Sequence, residues 1–160
     1  MALGSNLGDR ARHLEQAIHG LRATCGVGQV EISPVYETDP VGPPQGSYLN
    51  AVVSLTTTLQ PRALLACLQA IEAAAGRERA SERNAPRSLD LDLLFYGDHC
   101  LDEEGLQVPH PRLQERAFVL TPLADLAPAL MHPRLRLSVS ALLDRVRDLD
   151  GVRLYAGEGG

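Results

Sequence analysis

The pattern of apolar and polar positions along the chain predicts alternating helices and strands. Apolar residues that recur at spacings of three and four, as in Leu14, Ala17, Ile18 and Leu21, share one face of a helix. Alternating segments, and segments rich in Val and Thr, are typical of strands. The predicted elements are, in order, a short strand over residues 1–6, a helix around 14–21, strands over 27–38 and 48–59, a helix beginning at 61, a strand over 88–96, a short strand over 108–110, and helices over 112–126 and 138–146.

The order strand, helix, strand, strand, helix, strand is typical of the split βαβ, or ferredoxin-like, arrangement. We therefore expect an α+β fold, with an antiparallel sheet, helices packed on one face of it and extra C-terminal helices. A chain of 160 residues is long enough for one hydrophobic core. We expect a single domain over residues 1–160, in which residues 131–160 form a helical extension.

Composition and charge exclude several classes of protein. Fifteen basic and 20 acidic residues give a net charge of −5, which argues against a broad nucleic-acid-binding surface. The longest apolar run, over residues 63–68, is too short to span a membrane, and no basic-then-apolar leader is present. The three cysteines form no CxxC pair, so we expect reduced, buried thiols. We expect a cytoplasmic protein that acts on small molecules, without nucleic acid, membrane or an obligate protein partner.

Two aspartates in the predicted strand over residues 88–96 are the first candidates for chemistry. Asp90 and Asp92 are two residues apart, so on a strand their carboxylates project from the same face. Such a pair repels unless a cation lies beside it, and oxygen ligands together with substrate phosphates favour Mg²⁺. The alternative for an isolated Asp-x-Asp pair is a solvated acidic face on an edge strand.

An arginine-rich loop precedes this strand. Its members are Arg77, Arg79, Arg83 and Arg87. Guanidinium groups match phosphate oxygens, and a basic loop next to an acidic strand suits a metal-bound polyphosphate. The alternative is a set of solvated Arg–Glu pairs, each worth little. The loop and the strand together favour a phosphate–magnesium site.

Residues 83–94, with the sequence Arg-Asn-Ala-Pro-Arg-Ser-Leu-Asp-Leu-Asp-Leu-Leu, resemble the signature of the 6-hydroxymethyl-7,8-dihydropterin pyrophosphokinase family. Other segments resemble the family's motifs in the same order: residues 3–8 its opening motif, 33–43 its Pro-rich pterin loop, and then 48–51, 108–111 and 116–118. The resemblance covers residues 2 to about 130. Relatives begin several residues earlier, so we expect a shortened first strand.

The resemblance implies an ATP-dependent diphosphotransferase of folate biosynthesis. Such an enzyme transfers the β,γ-pyrophosphoryl group of ATP to the hydroxymethyl group of 6-hydroxymethyl-7,8-dihydropterin and releases AMP. By the same resemblance, Asp90 and Asp92 hold two Mg²⁺ ions and are catalytic together with Arg77 and Arg87. The residues implied near the nucleotide are Gln69, Glu72, Arg77, Arg79, Arg87, His110 and Arg116. The alternatives are that Glu72 pairs with a loop arginine on the surface and that His110 caps a turn.

The resemblance also implies a pterin site. A flat bicyclic ring suits aromatic side chains on its faces and a few hydrogen bonds at its edge. Tyr48 and Phe118 resemble the sandwiching pair, and Asn50 offers a donor and an acceptor to the edge. The remaining implied contacts are Thr38, Asp39 and Val41. The alternative for Tyr48 and Asn50 is a core aromatic and a turn amide at the start of a strand.

Two other functions are compatible with parts of the pattern. A nucleotidyltransferase also uses Asp-x-Asp on a ferredoxin-like sheet, but it needs a nucleic-acid track, which the net charge of −5 disfavours. A ferredoxin-like binding domain that has lost catalysis would bind nucleotide without needing Asp90 or Asp92.

Overall fold

The computed structural model describes residues 1–5, 9–38, 47–75, 89–146 and 151–155. Its elements are β1 (Ala2–Ser5), α1 (Arg10–Ala23), β2 (Val27–Ile32), β3 (Tyr36–Thr38), β4 (Tyr48–Thr57), α2 (Pro61–Ala74), β5 (Asp90–Asp92), β6 (Leu101–Glu103), β7 (Leu106–Val108), a 3₁₀ helix (Leu113–Glu115), α3 (Ala117–Leu126), α4 (Val139–Asp144) and β8 (Arg153–Leu154). No helix within these ranges is long and apolar enough to cross a membrane.

Six strands of the described residues form one antiparallel sheet. The order is β5–β1–β4–β3–β8, and β2 pairs with the second half of β4. Strand β1 lies inside the sheet, with β4 on one side and β5 on the other. The expected α+β class and antiparallel sheet are confirmed.

The predicted strand over residues 27–38 is broken into two strands. The break lies between β2 and β3, around Pro34, which has no backbone N–H to donate to a ladder. Ser33 lies at the break, and its hydroxyl accepts a hydrogen bond from the N–H of Val52 at 2.9 Å. Because this side chain replaces a backbone acceptor, β4 keeps its hydrogen bond while the neighbouring strand bends.

Helices cover both faces of the sheet, so the expectation that they pack on one face is wrong. Successive residues of β4 point to opposite faces of the sheet. Leu49 and Val53 belong to a core with Leu14 of α1 and Leu68 of α2. Val52 points the other way and belongs to a second core, formed with α3 and α4 by Val119, Leu120, Leu123, Val139 and Leu142.

Several predicted elements differ in extent. Strand β5 is shorter than the predicted strand over 88–96, and the predicted helix over 112–126 is interrupted at Arg116, where ψ is 99°. The pattern missed β6, which pairs with β7 around Gly105. It also missed β8, which lies in the C-terminal segment that was expected to be helical and which pairs with β3.

The cysteines are free, but the expectation of buried thiols is wrong for two of them. Cys25 and Cys100 are exposed, and Cys67 is half-buried.

Candidate active site

The register of the sheet brings Asp90 and Asn50 into one row. Gly4 on β1 lies opposite Asn50 on β4 and opposite Asp90 on β5. In the next row on the same face, Ala2 lies opposite Asp92 and Val52. Since Val52 packs against α3, both aspartates and Asn50 project from the face that α3 covers.

Gly4 gives Asn50 the space that it occupies. A Cβ atom at Gly4 would lie 3.2 Å from Oδ1 of Asn50 and 3.7 Å from Cδ1 of Tyr48. This role was missed by the sequence reasoning, because it depends on which residue faces Gly4 across the sheet. The glycine inside a short predicted strand was the available signal.

The two aspartates differ in exposure. Asp92 is exposed and Asp90 is half-buried, while Leu91 between them is buried. The described residues contain no group of three or more His, Cys, Asp or Glu side chains arranged to hold a metal ion. Any ion held by this pair would therefore need further ligands, and the oxygens of a substrate phosphate are suitable ones.

Glu72 of α2 supports this strand from the opposite face. Its Oε2 atom accepts a hydrogen bond from the N–H of Leu91 at 2.8 Å, and Glu72 is only 6% exposed. Glu72 is therefore buried and not at the surface, and the loop arginines of the alternative pairing lie outside the described residues. Gln69, one turn earlier on α2, is exposed.

His110 lies beside Asp92 and is held in a defined tautomer. Its Nδ1 atom accepts a hydrogen bond from the backbone N–H of Arg112 at 3.1 Å, so the imidazole does cap a turn. The backbone N–H of His110 donates to the carbonyl of Leu94 at 2.8 Å. Burial lowers the pKa of His110, Asp92 acts against that shift, and the charges of Arg116 and Arg112 lower the pKa further. The neutral ring therefore leaves its Nε2–H for another partner.

A cleft of about 210 Å³ adjoins Asp92 and His110. Its walls are Leu65 of α2, Leu93 after β5 and Leu106 of β7, together with the backbone around Gly105. Apolar walls next to an acidic and an imidazole group suit a ligand with one flat apolar part and one charged part.

Arg116 and Phe118 lie together at the start of α3. The Cζ atom of Arg116 is 5.7 Å from the centroid of the Phe118 ring, a cation–π contact. Phe118 is half-buried and packs against the core that includes Val52. The charge of Arg116 also acts on His110, so this arginine is close to both His110 and Phe118.

Thr38 and Asn50 are joined by a buried hydrogen bond. Nδ2 of Asn50 donates to Oγ1 of Thr38 at 2.7 Å, and the two residues are 7% and 3% exposed, respectively. Asn50 lies inside β4, so the alternative of a turn amide is wrong. Tyr48 is half-buried at the start of the same strand. The other predicted site residues lie outside the described residues: Asp39, Val41, Arg77, Arg79 and Arg87.

Comparison with known proteins assigns the family. Residues 1–128 match the family model described as 7,8-dihydro-6-hydroxymethylpterin-pyrophosphokinase. The chain belongs to this family. It is therefore an enzyme, an ATP-dependent pyrophosphokinase of folate biosynthesis, and the resemblance seen in the signature at residues 83–94 is confirmed.

Curated relatives and solved structures agree with this assignment. The chain is 42% identical over 146 residues to the 2-amino-4-hydroxy-6-hydroxymethyldihydropteridine pyrophosphokinase of Synechocystis sp., covering 91% of this chain and 74% of the relative. It is 46% identical over 134 residues to the enzyme of that name from Pseudomonas aeruginosa, covering 83% and 82%. The fold matches a crystal structure of HPPK-DHPS in complex with substrates, with a TM-score of 0.68 at 13% identity, over 91% of this chain and 42% of that one. A Plasmodium falciparum HPPK-DHPS structure matches with a TM-score of 0.69 at 15% identity, over 96% and 48%. The chain thus spans less than half the length of these two solved chains.

Proposed function

We propose that this pyrophosphokinase transfers the β- and γ-phosphates of ATP together to the hydroxymethyl oxygen of 6-hydroxymethyl-7,8-dihydropterin. That oxygen attacks the β-phosphorus, and the bond between the β-phosphorus and the oxygen that bridges the α- and β-phosphates breaks. AMP leaves with the bridging oxygen, and the hydroxyl proton passes to solvent. The row Asp90–Gly4–Asn50 carries the proposal. Two strand spacings put the Cα atoms of Asp90 and Asn50 about 10 Å apart, so a pterin held at Asn50 can present its substituent to phosphates held at Asp90.

We propose Asp90 and Asp92 as the ligands of Mg²⁺, with two ions as the resemblance implies. Two carboxylates on one face, one of them exposed, are oxygen donors of the kind that Mg²⁺ shares with phosphates. When bound, the metal neutralises charge on the phosphates of ATP. Glu72 is engaged with the N–H of Leu91, so its proposed part is to hold β5 in place rather than to bind the nucleotide.

Positive and hydrogen-bonding groups are proposed around the phosphates. The Nε2–H of His110 and the guanidinium of Arg116 are suited to phosphate oxygens, since His110 is close enough to both Asp92 and Arg116 to feel their charges. The resemblance adds Arg77, Arg79 and Arg87, which lie outside the described residues, and Gln69. The leucine-lined cleft beside Asp92 is the proposed place of the nucleotide base. In this scheme no side chain acts as general base, and catalysis rests on positioning and charge neutralisation.

The pterin is proposed to bind between Tyr48 and Phe118. Phe118 belongs to the helix that covers the face from which Asn50 projects. The buried bond from Asn50 to Thr38 fixes the amide orientation and supports a role in recognising the pterin edge. Asp39 and Val41, which lie outside the described residues, complete the proposed site by resemblance.

The fold is proposed to be ferredoxin-like. If β2 and β3 are counted as one interrupted strand, the order β5–β1–β4–(β2/β3) with α1 and α2 as crossovers corresponds to the split βαβ arrangement. We also propose one domain over 1–160 that works in the cytoplasm on small-molecule substrates.

Product analysis tests the proposed function. The protein is mixed with ATP, Mg²⁺ and 6-hydroxymethyl-7,8-dihydropterin, and the nucleotide products are separated. AMP that forms only when the pterin is present is the expected result, because attack at the β-phosphorus releases AMP. ADP would show transfer of the γ-phosphate alone and would overturn the proposal. Absence of any nucleotide product from the folded protein would favour a binding domain without catalysis.

A further inference from the structure

A hydrogen bond joins β3 to α3 on the face that carries the proposed pterin site. The phenol of Tyr36 donates to Oδ2 of Asp125, 89 residues away in the chain. Tyr36 lies directly opposite Asn50 in the sheet, so it extends the row that contains Gly4 and Asp90.

Asp125 and Phe118 belong to the same helix, α3. The two residues are seven positions apart in α3, which is two turns, so they lie on the same side of the helix. Helix α3 has only 10 residues and contains Pro122, so it is too short to be stable alone and its placement depends on contacts with the sheet. Apolar contacts with Val52 hold its middle, and these are non-directional.

The hydrogen bond from Tyr36 to Asp125 adds a directional contact between α3 and the sheet. Burial raises the pKa of Tyr36 to about 12, and the hydrogen bond to Asp125 adds to that shift. The phenol therefore remains a donor throughout the neutral range. Asp125 is exposed, so the bond lies at the rim of the interface between α3 and the sheet.

We propose that Tyr36 and Asp125 are positioning residues for the pterin substrate: their bond sets α3 over the sheet and thereby fixes the separation of Phe118 from Asn50. This inference rests on the proposed function, in which Phe118 and Asn50 contact the pterin. Neither Tyr36 nor Asp125 needs to touch the substrate.

Steady-state kinetics of four variants test this inference: Tyr36→Phe, Asp125→Ala, the two combined, and Asp125→Asn. Loss of a hydrogen bond predicts a rise in the KM for the pterin of about three- to tenfold in each of the first two variants. The KM for ATP should stay within about twofold. The combined variant should be no worse than either single variant, because both remove the same bond. Asp125→Asn keeps an acceptor oxygen and should keep the wild-type KM.

Three results would overturn the positioning role: an unchanged KM for the pterin in Tyr36→Phe, a parallel rise in the KM for ATP, or losses that multiply in the combined variant. The wild-type protein is assayed alongside for AMP that depends on the pterin. Failure of that reaction would overturn the proposed function itself, whereas normal wild-type turnover with an insensitive Tyr36→Phe variant would remove only the positioning role.

Discussion

The carboxylate of Glu72 on α2 accepts a hydrogen bond from the backbone N–H of Leu91, 2.8 Å away. Leu91 is the residue between Asp90 and Asp92, and both Glu72 and Leu91 are buried. A buried acceptor thus fixes the short strand from which the two aspartates project. The strand is only three residues long, so this attachment to α2 complements its pairing with β1.

Removal of the Glu72 carboxylate should destabilise the protein. In Glu72→Ala the N–H of Leu91 loses an acceptor inside the core, which costs about 1–3 kcal/mol. Urea unfolding measures the loss. Glu72→Gln is the matched control, because its amide oxygen can still accept, and it should retain most of the stability. Equal stabilities of Glu72→Ala and the wild type would contradict the structural role.

Removal of the Asp92 carboxylate should abolish turnover and leave the fold intact. Asp92 is exposed, so Asp92→Ala should change the free energy of unfolding by no more than about 0.5 kcal/mol. Loss of even an indirect metal partner lowers affinity or activity by about 10–100-fold, so loss of a direct ligand should lower kcat by about 100-fold or more. Asp98→Ala, which removes another exposed carboxylate, should behave as wild type. Wild-type turnover by Asp92→Ala would remove Asp92 from the mechanism.

How much of the site is readable from sequence depends on whether a relationship is local. The alternation of a strand places Asp90 and Asp92 on one face without knowledge of any partner. The meeting of Asp90 with Asn50 across Gly4 depends on strand register, which a single sequence does not define.

The extent of the elements was also decided by non-local contacts. The apolar pattern over residues 27–38 is continuous, yet the side chain of Ser33 takes over a backbone bond to Val52 and the strand divides there. The burial of Glu72 was not readable, because a carboxylate on a helix is ordinarily solvated and only the approach of β5 supplies its partner.

A methyl group at Gly4 should weaken pterin binding. The Cβ atom of Gly4→Ala would lie 3.2 Å from Oδ1 of Asn50, so this amide, which is also held by its buried bond to Thr38, must shift by a few tenths of an ångström. We expect the KM for the pterin to rise at least about threefold, because a weakened hydrogen bond loses part of its net free-energy contribution of about 0.5–1.5 kcal/mol. The KM for ATP should change little.

Gly20→Ala is the matched control for Gly4→Ala. Its Cβ atom would also meet a neighbour at 3.2 Å, but that neighbour is the side chain of Ile71, on the face of the sheet away from Asn50. Helix propensity favours alanine over glycine by about 1 kcal/mol, so stability should be kept or raised. Equal effects of the two substitutions on the KM for the pterin would show that Gly4 has no specific part in the site.

Truncation of Phe118 should weaken pterin binding selectively. Stacking of a heterocycle on an aromatic side chain is worth about 1–3 kcal/mol, so Phe118→Ala should raise the KM for the pterin about fivefold or more. The KM for ATP should stay nearly unchanged. Phe95→Ala is the control, because Phe95 packs against the same core but contacts His132 instead. Equal losses for pterin and ATP in Phe118→Ala would show that Phe118 is only a core residue.

The buried imidazole of His132 should make the fold sensitive to acid. Its Nδ1 atom accepts hydrogen bonds from the N–H groups of Arg134 at 3.2 Å and Leu135 at 3.0 Å. Burial lowers the pKa of His132, and the charge of Arg134 adds to that shift. An unfolded chain titrates its histidines near 6.5, so as the pH falls below about 6.5 the unfolded state binds a proton that the folded state does not. The stabilisation that neutral His132 contributes is therefore fully present above about pH 6.5, and it is lost as the pH decreases through the lowered pKa of His132 in the folded protein.

Urea unfolding at pH 7.5 and 5.5 measures this contribution when the wild type is compared with His132→Asn. Asparagine offers an acceptor oxygen but no titrating group, so the variant should lose less stability than the wild type between the two pH values. The lowered pKa of His110 acts in the same direction in both proteins and cancels in the comparison. His19→Asn, at an exposed position of α1, should keep the wild-type dependence. If His132→Asn loses as much stability on acidification as the wild type, the acid sensitivity comes from other groups, and the neutral imidazole is not what holds the turn at Arg134 and Leu135.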